Sequence, residues 1–377
     1  MRRVFRSVLE YLKKTDKLLW FLIIMTSAYG AYLTLSIDKS FPYIYHGSPK
    51  TQLASIAVGL FAALVFSIMD PELIGKLWKL HAPIAYGLVF ALIFWGQGRD
   101  AYGTGGINWL DIPGFIAIQP SEFLKVSFII TFAHHLAFVG ERINHPMYLL
   151  GVLIHGFAPA AIIFYLKDGG TALIFGLMTV GMLFCAGLSW KYIIAAAGLA
   201  VAAIIPMWNH LLSYDQKARI IAIINPDQAE AKIVYQVNQA VVAIGSGRVF
   251  GVPYYGGAMR WVAEMHTDFI FTFVAQFLGF VGCLGVLFLL AAICIKAVTN
   301  AVRALTRLGS LMCWGVFSML FAQVLINIGM NLGLTPVVGI TLPFFSIGGT
   351  STMSALAAVG LIISVHGHSH KRVYLFD

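Results

Sequence analysis

Charge is what this sequence has least of. Only 11% of its 377 residues are Asp, Glu, Lys or Arg, and just 16 are acidic. An ordinary soluble domain carries about 25% charged residues, and sixteen carboxylates cannot cover a water-exposed surface of this size. A pair of soluble domains, the usual reading of such a length, is therefore excluded. Cysteine is scarce as well. Cys185, Cys283, Cys294 and Cys313 each lie inside an apolar run, and no two form a CxxC pair. That argues against a disulfide framework or a thiolate metal site and leaves four small, buried apolar side chains.

What the chain has instead is hydrophobic length. Apolar residues make up 59% of it and the mean hydropathy is +0.83. A bilayer core needs about 20 apolar residues per helix. Runs of that kind fall near 18–36, 52–69, 80–96, 119–139, 147–166, 171–188, 192–208, 268–295, 310–332 and 350–366. The expected fold is an all-α membrane protein, a polytopic bundle of about ten transmembrane helices forming one domain over 1–377. A large external loop separates helices 7 and 8. The first run follows a basic start (Arg2, Arg3, Arg6, Lys13, Lys14, Lys17), but Leu18 to Ser36 is too long for a cleaved signal core, so it is expected to stay.

Positive charge orients the bundle. With ten spans both termini share a side. That side collects the basic N-terminus, Lys76, Lys79, Arg142, Lys191, Lys296, Arg303, Arg307, Lys371 and Arg372. The opposite short loops hold only Lys39, Lys50, Arg99 and Lys167. The positive-inside rule makes both termini cytoplasmic. The basic excess then faces anionic membrane lipid and requires no nucleic acid. The polar, Gly-, Pro- and Trp-rich segments near 97–118, 167–170, 209–267 and 333–349 fall outside, which puts the functional surface there.

Several of these segments carry groups capable of chemistry. Glu264-Met265-His266-Thr267-Asp268 closes the longest loop and precedes a strongly apolar helix. Thr267 or Asp268 as a helix cap explains the pattern on local grounds. The second reading is catalytic: two carboxylates and a histidine at the membrane boundary, with an acid able to act as general base or bind a cation. Glu122 and Lys125 are three residues apart and share a helix face inside an apolar span. They form either a buried structural ion pair or part of a cavity. Trp109 is an interface anchor or a functional group. Asp168-Gly169-Gly170-Thr171 reads as a helix cap. The glycines of Gly245-Ser246-Gly247-Arg248 lack the strand and helix context of a nucleotide fingerprint, yet a glycine-rich loop with Arg248 and Arg260 nearby suits a phosphate. Thr335 to Ser351 is expected to form an irregular loop packed into the bundle. His366, His368 and His370 lack the acidic or cysteine company of a metal site.

Together these strings resemble the SEDS family, the shape, elongation, division and sporulation proteins that include RodA, FtsW and SpoVE. The matches run in family order from about residue 103: GINWLDIPGF with IAIQPSEFLK, DGGTALIF, YQ with NQAVVAIGSG, EMHTDFIF with LGFVG, and TPVVGITLPFFSIGGTS. The tail at Ser364-Val365-His366-Gly367-His368 leans towards RodA. The resemblance implies a peptidoglycan glycosyltransferase, a hexosyltransferase that polymerises lipid II, working beside a class B penicillin-binding protein in cell elongation or division. It makes Asp268 the catalytic residue, with Glu264 in support. Trp109, Glu122, Lys125 and Ser346 fall on its functional strings and, with Arg248 and Arg260, are expected to bind substrate. It suggests no organic cofactor, and leaves room for a divalent cation such as Mg2+ or Mn2+. Departures from the family pattern are Asn108 before Trp109, Leu166-Lys167 before Asp168, Ala263 before Glu264, Ala275-Gln276-Phe277, and Ile347. The rival readings are a lipid II flippase and a non-catalytic activator of a penicillin-binding protein. A transporter needs polar groups along a whole path, whereas this chain gathers them on one side.

Overall fold

The computed structural model describes residues 10–42, 49–97, 106–111, 117–228, 231–252 and 259–369. Arg2, Arg3, Arg6, Arg99, His370, Lys371 and Arg372 lie outside them. The described residues form helices joined by irregular segments, with two isolated bridges and no named strand. In chain order the elements are α1 (Lys17–Ser40), α2 (Pro49–Ile68), a short α3 (Pro71–Lys76), α4 (Trp78–Trp95), α5 (Pro120–Val139), α6 (Pro146–Tyr165), α7 (Gly169–Cys185) and α8 (Trp190–Pro206). There follow α9 (Tyr214–Ile224), α10 (Ala231–Ser246), α11 (Ile270–Arg303), α12 (Arg307–Asn331) and α13 (Gly349–His368).

Nine of these are long and apolar enough to cross a membrane, and the 17-residue α7 is the shorter tenth. The sequence places all ten, mostly within three residues. The largest shortfall is at α11, which runs to Arg303 because Lys296 and Arg303, in its last turns, end the apolar run without ending the helix. The four free cysteines lie on apolar helices.

Ends are marked where the chain supplies its own caps. Asp16 Oδ1 accepts from Leu19 N, Asp70 Oδ1 from Glu72 N, and Asp168 Oδ1 from Thr171 N. Pro120 and Pro146 stand at the first turns of α5 and α6. Ten traverses leave one end of the bundle with residues 10–16, the α5–α6 corner and the end of α13. The other end holds 106–111, 117–118, 166–168, 207–228, 247–252, 259–268 and 332–348. At the first end Asp16, Lys296, Asn300 and His366 tie α1, α11 and α13 together, with Lys296 Nζ 2.5 Å from Asp16 Oδ2.

The bundle is centred on α5, α12 and α13, whose residues are mostly buried. α8 is the opposite case: none of its residues is buried. The segment 332–348 is irregular and packed inward as expected: Phe344 and Phe345 are buried, and Phe345 meets Tyr29 edge-on at 5.5 Å. The long connection after α8 is more ordered than its composition suggests. It contains α9, started by a capping box of Ser213 and Gln216, and α10.

α11 is interrupted at Gly279 (φ 67°). The turn 247–252 lies against the break: Phe280 N donates to Arg248 O (2.9 Å) and Val281 N to Val249 O (3.1 Å). A side chain at 279 would stand 2.4–2.5 Å from the Gly251 and Val249 backbones, so only glycine fits.

Candidate active site

The site is built where four segments meet at the loop-rich end. Glu264 has a left-handed backbone (φ 57°), and its carbonyl accepts from Thr267 N (3.1 Å) and Phe269 N (2.9 Å). The chain thereby reverses tightly before α11. The Glu264 Oε2 atom takes a hydrogen bond from Thr267 Oγ1 at 2.9 Å. His266 stacks on Trp261, which meets Phe41 edge-on.

The capping expectation for this turn is corrected by the structure. The N-cap of α11 is Phe269, and neither Thr267 nor Asp268 caps the helix through its side chain. The capping groups come from α12. Asn331 Oδ1 accepts from Thr272 N (3.0 Å) and Thr272 Oγ1 (2.7 Å). Asn327 and Asn331 each donate an amide hydrogen to the Asp268 carbonyl, at 2.8 and 3.0 Å. The Asp268 backbone is thus clamped while its carboxylate is left out of the cap. Among the described residues that carboxylate accepts no hydrogen bond. A helix cap and a reactive carboxylate are competing uses of one side chain, and two buried asparagines free Asp268 from the first. Sequence reasoning missed both; polar amides four residues apart in an apolar run were the available signal.

Around Asp268 the other segments bring charge. Burial raises its pKa to about 7; the Glu264 carboxylate and, more weakly, Asp168 add to the rise, and Arg219 opposes it. Asp168 is also pushed up by burial, against the Thr171 hydrogen bonds and Lys125. Burial lowers His266, with Glu264 opposing. A carboxyl group titrating near neutrality is suited to exchange protons at physiological pH.

Three supports hold this cluster. Lys125 Nζ lies 2.8 Å from Glu122 Oε1, both buried, and Glu122 Oε2 accepts from Ser354 Oγ at 2.5 Å. The pair is as buried as expected. Gln119, one residue before α5, donates to Asp168 Oδ2 at 3.4 Å. Ser346 is 2% exposed; its hydroxyl donates to Thr267 O (2.5 Å) and accepts from Leu342 N (2.7 Å), which ties the 341–348 turn to the residue before Asp268. The 337–340 strip threads between α7 and Asp268. Val338 O occupies the place a Gly170 side chain would take, 2.2 Å from that Cβ position, and a Cβ on Gly339 would lie 3.7 Å from Asp268 Oδ2.

Trp109 is joined to Gln97 by two backbone hydrogen bonds (2.8 and 3.1 Å), and Ile107 N donates to Leu166 O. This segment therefore lies over the α6–α7 turn, beside Asp168. Arg248 and Arg260 stand elsewhere. Both are exposed. Arg248 is bonded through its carbonyl to Phe280, about 15 Å down α11 from Ile270 at 1.5 Å per residue. With its amide oriented to suit both partners, Gln276 exchanges hydrogen bonds with the Arg260 backbone at 3.1 and 2.9 Å. The cation that does act on Asp268 is Arg219 of α9, to which the sequence motifs gave no weight.

The profile of the FtsW, RodA and SpoVE family, described as cell cycle proteins, matches residues 16–371. The chain belongs to this family. The peptidoglycan glycosyltransferase MrdB of Escherichia coli K12 is 32% identical over 328 residues, which cover 85% of this chain and 86% of that protein. Stage V sporulation protein E of Bacillus subtilis is 29% identical over 361 residues, with coverages of 92% and 93%. Among solved structures, the rod shape determining protein RodA of Thermus thermophilus superposes with a TM-score of 0.67 at 24% identity, covering 93% of this chain and 96% of that one. A chain from a peptidoglycan synthase complex, studied for its coordination of polymerization and crosslinking, gives 0.80 at 24% identity, with coverages of 95% and 99%. These likenesses bear out the polytopic all-α fold; the second spans almost the whole chain.

Proposed function

We propose that this member of the family extends glycan strands from a lipid-linked sugar, with Asp268 as general base. The chain is a peptidoglycan glycosyltransferase of cell-wall synthesis, as its 32% identical relative MrdB is named. The observation that carries the role of Asp268 is its release from helix capping, with its backbone clamped by Asn327 and Asn331 and its carboxyl group raised to about 7.

The reaction is read as follows. The growing strand, held on polyprenyl diphosphate, is the donor, and lipid II brings the acceptor hydroxyl. Asp268 takes the hydroxyl proton as that oxygen bonds to the anomeric carbon. The bond from that carbon to the diphosphate oxygen breaks, and its electron pair leaves with the polyprenyl diphosphate. The proton then passes from Asp268 to solvent. Glu264 keeps the Asp268 pKa high through its charge. The Glu122–Lys125 pair and Ser346 position the cluster from behind, and Trp109 borders it near Asp168. Among the described residues no three acidic, His or Cys side chains are set to hold a metal. A divalent cation such as Mg2+ or Mn2+ therefore fits best as one carried in on the diphosphate, and no step is assigned to it.

In this reading the loop-rich end faces outside a bacterial inner membrane and both termini are cytoplasmic, as the basic residues favour. A class B penicillin-binding protein crosslinks the product. The test is polymerisation of lipid II by purified protein in detergent, with and without such a partner. Glycan strands from wild type and none from Asp268→Asn are expected. Strands at a near wild-type rate from Asp268→Asn would remove Asp268 from the chemistry and leave Glu264 as the next base.

A further inference from the structure

A lipid-linked donor brings a diphosphate to a site whose named groups are mostly acidic. Glu264 and Asp168 both lie close enough to act on Asp268, so some cation has to receive the anion. Burial decides among the cations at this end of the bundle. Lys125 is 2% exposed and bonded to Glu122, and a side chain sealed in that way cannot meet a substrate. Arg248 is fixed by its backbone opposite Phe280, well down α11, and the Arg260 backbone is held opposite Gln276, about 9 Å along α11 from Ile270. Lys167 is exposed beside Asp168 and is not among the charges acting on Asp268.

Arg219 differs in each respect. It is partly exposed. Its Nη1 donates to Val337 O at 2.7 Å, two residues before the glycine that faces Asp268 Oδ2. Gln216, one helical turn earlier on α9, reaches the start of α7: a Cβ on Gly169 would meet its Nε2 at 3.0 Å. The Gln216–Arg219 face of α9 therefore covers the place where α7 begins and where the 337–340 strip passes Asp268.

We propose that Arg219 binds the diphosphate of the lipid-linked sugar, a role that rests on the glycosyltransferase reading above. A guanidinium presents a planar fork matched to phosphate oxygens, which a lysine does not. Held at Val337, the fork sits at the rim of the cluster. There it offsets the carboxylates that would repel the donor, and it faces the charge that collects on the diphosphate when the glycosidic carbon leaves it. Arg219 makes and breaks no covalent bond.

The experiment uses the full chain in detergent and compares undecaprenyl diphosphate with undecaprenol, for wild type, Arg219→Gln, Arg219→Lys and Asp268→Asn. Wild type should prefer the diphosphate. Arg219→Gln keeps a donor for Val337 and should lose about tenfold or more in diphosphate affinity, with the alcohol unchanged, as expected for a lost charge-assisted contact. Arg219→Lys should fall between. Diphosphate binding by Arg219→Gln within twofold of wild type would overturn the proposal, and so would equal loss of both ligands. Should Arg219→Gln fail to fold, Arg219→Lys decides: undiminished diphosphate affinity rejects the fork. Asp268→Asn removes one of the carboxylates that repel the donor, so it should bind the diphosphate at least as tightly as wild type while making no glycan. If that variant polymerises, the base assignment fails separately from the result at Arg219.

Discussion

Asp268→Asn offers a test in which stability and activity move in opposite directions. The carboxyl group has a pKa near 7 in the folded chain, against a usual 3.8, because burial and the Glu264 and Asp168 charges disfavour the ionised form. At 1.36 kcal/mol per pH unit, keeping Asp268 ionised in the fold costs at most about 4 kcal/mol. The sign follows from proton binding. Between about pH 4 and 7 the folded chain holds a proton that the unfolded chain has released, so ionisation destabilises the fold as pH rises. The cost is complete above pH 7 and absent below pH 4. Asparagine keeps the size and removes the charge. The variant should therefore melt at a higher temperature than wild type at pH 8, and the gain should vanish as the pH falls through 7 towards 4. Its polymerisation rate should drop by about 10²–10⁴-fold, as for loss of a general base. The assays are thermal melting in detergent across pH 4–8 and lipid II polymerisation with wild type over pH 5–8. The wild-type rate should fall on the acid side with a midpoint near 7. A midpoint near 4, or a gain of the variant over wild type no larger at pH 8 than at pH 4, would refute the reasoning.

Glu264→Gln should shift that acid limb to lower pH, because the removed charge was holding the Asp268 pKa up; an unmoved limb would separate the two carboxylates. Asn331→Leu removes a clamp on the Asp268 carbonyl and the acceptor for Thr272, and should cost about 1–3 kcal/mol by melting. Lys125→Met alone should destabilise by about 3–5 kcal/mol, more than Glu122→Leu with Lys125→Met together, since the single change strands a buried carboxylate; equal damage from both would deny the pairing. Reporter fusions after Arg142 and Gly309 should be cytoplasmic and one near Gln228 external, and an inverted signal at any of them would reverse the proposed orientation.

The spans were legible because a bilayer demands long apolar runs, and the chain obliges at ten places. Glu122 and Lys125 could be paired from spacing alone, since two opposite charges in an apolar helix have few other options. The cap at Asp268 was misread for a reason that local sequence cannot reveal. The Thr272 N–H at the start of α11 donates to Asn331, and the Asp268 carbonyl accepts from Asn327 and Asn331, some 60 residues later on a neighbouring helix. Arg219 was missed for a similar reason: nothing in SYDQKARI says that its guanidinium donates to the carbonyl of Val337, over a hundred residues away. The resemblance supplied Asp268 with Glu264 in support, but not the action of Arg219 and Asp168 on it.

The joint between the 247–252 turn and α11 bears on how such a chain can drift over evolutionary time. Two backbone carbonyls from the turn complete a helix to which they do not belong, and the fit leaves no room for a side chain at Gly279. Inserting or deleting a residue between Arg248 and Gly251 would break that register at once. Among the described residues, 225–228 between α9 and α10 carry no such stitch, so length changes should accumulate there. The long segment before Asp268 is thus part fixed seam and part adjustable cloth, and variation among relatives should be sorted accordingly.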